Sequence, residues 1–186
     1  MDQRATHFII LFASIIINGI GCLILIKKNF YKYGIILLAS LLLSSILCLA
    51  FYWLGFYRFA LPVLVVLPGV AISFTCLALF SIKYRPAKRT FPFFFMVTTW
   101  IFTIEVLLKN VWGFIVFRNG WDYWTSYSLY WVYIRIFDQF GELILPDKIR
   151  SPIKSDTKRY WFLFFITIIY AIIEVLVLRY KLYQRI

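Results

Sequence analysis

Acidic residues are scarce in this chain, and histidine and cysteine scarcer still: eight Asp and Glu stand against 20 Lys and Arg, with one His and three Cys. The single histidine, His7, builds no histidine-centred metal site. Cys22, Cys48 and Cys76 lie in three different apolar stretches, where they read as packing residues, not as disulfides or metal ligands. A glycine-rich phosphate loop, a G-x-S-x-G elbow and an H-E-x-x-H pair are also missing. No metal or other cofactor is expected, and the chemistry of soluble enzymes is excluded.

What the chain has in abundance is apolar surface. Hydrophobic residues make up 63% and aromatics 22% of its 186 residues, and the mean hydropathy is +0.84. That is more than a soluble domain of this size can bury, so the surplus must face lipid. A helix crosses about 30 Å of hydrocarbon with roughly 20 residues, and runs of that length recur at about 8–26, 34–56, 60–82, 91–117 and 160–178. The first ends at Lys27 and Lys28 with no small-residue cleavage pattern beyond it, which reads as an uncleaved helix. Pro68 and Gly69 interrupt the third and predict a bend there. Connections are short, leaving one transmembrane domain over residues 1–186.

The sixth candidate, at about 123–145, lies within WDYWTSYSLYWVYIRIFDQFGELILP and carries Arg135, Asp138 and Glu142. The distribution of basic residues decides how to read it. With six spans, the loops after the first, third and fifth helices share one side, which holds Lys27, Lys28, Lys32, Lys83, Arg85, Lys88, Arg89, Lys148, Arg150, Lys154, Lys158 and Arg159. The other side holds Arg4, Arg58, Arg118, Arg179, Lys181 and Arg185. Basic loops stay cytoplasmic, so this asymmetry predicts an all-α bundle of six spans with both termini outside. Five spans plus an interfacial or re-entrant amphipathic helix would nearly erase the asymmetry.

A net charge of +12 raises the question of nucleic acid. The charge is spread over loops flanking the spans, however, which suits anionic lipid headgroups, and no nucleic-acid-binding motif accompanies it.

Ionisable residues at membrane depth are expensive and are therefore the natural candidates for function. Glu105 and Lys109 are spaced i,i+4 in the fourth span, an order that lets them neutralise each other. In the fifth, a 100° step aligns Trp124, Ser128, Trp131, Arg135, Asp138 and Glu142 on one stripe. In the sixth, Thr167, Tyr170, Glu174 and Lys181 share a side, and Glu174 has no opposite charge one turn away. Two readings follow. Either the stripes meet in one cavity that binds a ligand or handles protons, or Glu105 with Lys109 and Arg135 with Asp138 are neutral pairs that set helix packing.

The run WDYWTSYSLYWVYIRIFDQFGELILPDKIRSPI, preceded by TIEVLLKNVW, resembles a family of small polytopic membrane proteins of unknown function from spore-forming Gram-positive bacteria. That resemblance implies a multi-pass protein of the bacterial cytoplasmic membrane and carries no catalytic residue with it. Three functions stay open, in this order. The first is a binding or structural membrane protein, whose polar and aromatic core holds a small ligand, a lipid or a partner membrane protein. The second is a small-solute transporter or solute-binding subunit, for which internal repeats and paired broken helices are missing. The third is a membrane-embedded enzyme acting on a lipid or isoprenoid. A homo-oligomer would shield a polar fifth span as well as an intramolecular bundle does.

Overall fold

The computed structural model describes residues 3–183, apart from the side chains of Asp147 and residues 181–183. Arg185 lies outside the described residues, and so does the Lys181 side chain. Six helices make the fold: α1 (Gln3–Ile26), α2 (Phe30–Trp53), α3 (Val63–Tyr84), α4 (Thr90–Asn110), α5 (Tyr123–Ile144) and α6 (Lys158–Tyr183). All except α5 are long and apolar enough to cross a membrane. The all-α bundle expected from the hydrophobic runs is what the chain forms.

Hydrogen bonds show which connections share an end. At one end, the segment after α5 lies over the α3 terminus, with the Ser151 and Ile153 amides donating to the Lys83 and Tyr84 carbonyls. Lys28 of the α1–α2 turn reaches Ser151 Oγ at 3.2 Å. At the other end, the α2–α3 and α4–α5 connections pair as a short antiparallel ribbon of β1 (Tyr57–Phe59) and β2 (Ile115–Phe117), with Arg58 opposite Val116. His7 of α1 bonds the Trp112 carbonyl beside it, at 2.9 Å.

The ribbon is a departure from the sequence reading, which ran the fourth span on to residue 117. The helix stops at Asn110 because Gly113, at φ +61°, turns the backbone into the left-handed region. The next three residues then alternate: Ile115 is buried, Val116 exposed and Phe117 half-buried, matching the same pattern in Tyr57–Phe59.

α3 is the central helix, packed against α1, α2 and α5. It runs unbroken through Pro68. Three glycines let its neighbours approach: Gly21 of α1, whose added Cβ would lie 2.8 Å from Cys76 Sγ, and the two that follow. A Cβ on Gly141 would lie 2.6 Å from Ile82, which is fully buried, and one on Gly69 would lie 2.5 Å from Leu11. α5 runs from the ribbon end to the opposite end, about 33 Å by its rise, and packs on α3, α4 and α2. It is thus a member of the bundle and does not lie across one end of it. α6 packs chiefly on α4.

Candidate functional site

The intramembrane acids occupy three separate places, not one cavity. Glu105 lies near the ribbon end, Asp138 near the opposite end, and Glu174 between α4 and α6.

Glu105 is 4% exposed. Its Oε1 accepts from the Tyr57 hydroxyl at 3.1 Å and from Ser126 Oγ at 3.2 Å, while Tyr57 and Ser126 are themselves 2.8 Å apart. Trp121 Nε1 donates to the same serine at 2.8 Å. Oε2 makes no hydrogen bond of good geometry, although the Tyr130 hydroxyl stands close enough to act on the carboxylate. Burial, and then the adjacent carboxylate, push the Tyr57 phenol far above its ordinary pKa, so it remains a donor. Beside the cluster is a cavity of about 100 Å³ walled mainly by aromatic and aliphatic side chains, among them Phe51, Phe74, Tyr130 and Tyr133. Lys109, the partner expected for Glu105, still acts on it electrostatically, but its Nζ lies over the rings of Phe117 and Tyr123, at 3.7 and 4.0 Å.

Asp138, 3% exposed, does pair with Arg135, at 2.9 Å, but its closer partner is Arg85 at 2.7 Å. Arg85 follows α3 and also forms an ion pair with Glu142. Two acids and two arginines make a neutral group that fastens α5 to the end of α3. Lys83 and Arg150 act similarly by capping helix ends: Lys83 Nζ donates to the Leu25 carbonyl at 2.8 Å, and Arg150 Nη2 to the Gly141 carbonyl at 2.8 Å.

Glu174 is 7% exposed, and its Oε2 lies 3.1 Å from Thr103 Oγ1, whose single hydroxyl hydrogen it shares with the Thr99 carbonyl at 3.0 Å. It lines a groove of about 650 Å³ between α5 and α6, with α4 as its floor. Phe95 and Phe102 from α4 and Tyr123, Trp124 and Tyr127 from α5 supply rings to it, and Arg179 stands near the ribbon end. Thr99, also on the floor, is 3.4 Å from the Tyr127 hydroxyl.

No family model, curated protein or solved structure matches this chain. Its site is therefore read from its own geometry.

The stripe expected on α5 is turned by roughly a third of a turn about the helix axis at 100° per residue. Ser128, Arg135 and Glu142 are exposed, Trp131 is half-buried and stacks on Phe91 at 5.7 Å, and only Asp138 is buried. The inward face is Ser126, Tyr130, Tyr133, Ile134, Phe137, Asp138 and Gly141. Tyr170 of α6 stacks on Trp100 at 5.3 Å, apart from the groove. Sequence reasoning missed Tyr57, Ser126, Thr103 and Arg85. One signal pointed at the last of these, since Asp138 and Glu142 outnumber Arg135 within α5 and call for a second cation. Nothing in the sequence singles out Tyr57, which stands in a connection.

Proposed function

We propose that this is a binding protein of the bacterial cytoplasmic membrane, with six spans and both termini outside, and that it takes an amphipathic ligand from the bilayer into the groove between α5 and α6. The observation carrying this reading is Glu174: a carboxylate held at membrane depth by Thr103 opens into a large aromatic groove. Intramembrane acids are kept mainly where they bind or carry something. The groove lies between two helices that touch little, so its ligand enters sideways from lipid.

The orientation is supported by the end carrying the connections after α1, α3 and α5. Lys27, Lys28, Lys88, Arg89, Lys148, Lys154, Lys158 and Arg159 are exposed there and suit the anionic headgroups of a cytoplasmic leaflet. The bacterial setting rests on the resemblance of residues 121–153 to the Gram-positive family.

Native mass spectrometry of protein extracted in mild detergent tests the binding. An added amphiphile is expected to remain on the wild type and to be lost from Ala171→Trp, which fills the groove. Ile46→Trp, on the outward face of α2, retains it. Equal retention by all three proteins rejects the groove.

A further inference from the structure

We infer that the ligand of this groove carries a protonated amine, which sits against Glu174; the inference rests on the groove being the binding site. The three buried acids differ in what the chain supplies to them. Asp138 has two arginines. Glu105 has the hydroxyls of Tyr57 and Ser126. Glu174 has only Thr103, and among the described residues no Lys or Arg forms an ion pair with it. Among the described residues its Oε1 accepts no hydrogen bond, and it is not sealed from the groove. A lone carboxylate in a low-dielectric site is costly, and breaking or omitting its cation is far worse than supplying one.

The walls agree with a cation. Five aromatic residues line the groove, Phe95, Phe102, Tyr123, Trp124 and Tyr127, and ring faces attract ammonium groups most strongly where water is excluded. Ammonium hydrogens can donate to Oε1 while the carbon chain lies along Ile168, Ile172 and Val175 of α6. The groove's own cation, Arg179, lies five residues beyond Glu174 and is exposed. That places its Cα about 7.5 Å further along the helix, and among the described residues no ion pair joins it to Glu174. An amine at Glu174 and a polar or anionic group toward Arg179 are therefore compatible in one ligand.

The test uses the full chain in neutral phosphatidylcholine nanodiscs and three dansyl probes on the same eleven-carbon chain, ending in a primary amine, an alcohol or a carboxylate. Energy transfer from tryptophan to dansyl reads binding. The amine is expected to bind about tenfold tighter than the alcohol, a difference of about 1.4 kcal/mol. Glu174→Gln should bring the amine down to the alcohol and leave the alcohol unchanged. Ala171→Trp should weaken all three.

Equal affinity for amine and alcohol in the wild type, or preference for the carboxylate, overturns the amine inference while the groove reading stands. An amine preference that survives Ala171→Trp overturns both. The wild-type comparison decides the matter even if Glu174→Gln fails to fold.

Discussion

The hydroxyl of Tyr57, on a strand outside the bundle, donates to the buried carboxylate of Glu105, near the ribbon end of α4, at 3.1 Å. A contact spanning 48 residues of chain thus fastens the ribbon to the helices beneath it. Ser126 donates to the same oxygen, so the two hydroxyls share one task. Tyr57→Phe and Ser126→Ala should each destabilise by about 1–3 kcal/mol, because each strips a donor from a buried acid. The double variant should lose clearly less than their sum. Unfolding in detergent, followed by circular dichroism, checks this, and strict additivity would show that the donors act independently.

Arg85 and Asp138 make the second test. Asp138 is 3% and Arg85 17% exposed, and removing Arg85 leaves the buried aspartate with only the half-exposed Arg135. Arg85→Ala is expected to destabilise by roughly 3–5 kcal/mol. Arg135→Ala removes a half-exposed arginine from the same aspartate and should change stability by less than about 1 kcal/mol. Comparable losses from both variants would mean that Asp138 is held equally by the two.

Cys22 of α1 donates to the Ile72 carbonyl of α3 at 3.9 Å, and Cys76 Sγ packs against the neighbouring Gly21, so the two thiols face the same helix contact, although their sequence positions suggested unrelated packing residues. Copper–phenanthroline should join them as a disulfide seen by peptide mapping, while Cys48 stays free. Preferential cross-linking through Cys48 would contradict the packing of α1 on α3.

Asp122 caps α5, accepting from the Thr125 amide at 2.7 Å and its hydroxyl at 2.6 Å. These bonds hold its carboxyl below the usual range of about 3.9. A depressed folded value means the stabilisation is fully present above the unfolded pKa and disappears as pH falls through the folded one. Since Asp122 is exposed, the effect is local and about 1 kcal/mol or less. Hydrogen exchange of the peptide covering residues 121–128, corrected for intrinsic rates, should speed up below about pH 4 in the wild type. Asp122→Asn should show a flatter profile.

The sequence by itself determined the class of protein and its layout: apolar run length marked five spans, and the basic connections paired loops that the structure places at a common end. It also marked Glu105, Asp138 and Glu174, which are buried, together with Arg135 and Glu142, which are exposed, because a charge among apolar residues is conspicuous wherever it points. Only the tertiary structure decided which face of each helix points inward. Lipid is as apolar as a protein core, so hydrophobic periodicity does not separate inside from outside in a membrane. For α5 this made Ser128 look inward when Ser126 is. The partners were likewise invisible. Glu105 has Tyr57 and Ser126 in place of a salt bridge to Lys109, and Asp138 has Arg85, because these contacts form only when segments far apart in the chain are packed together.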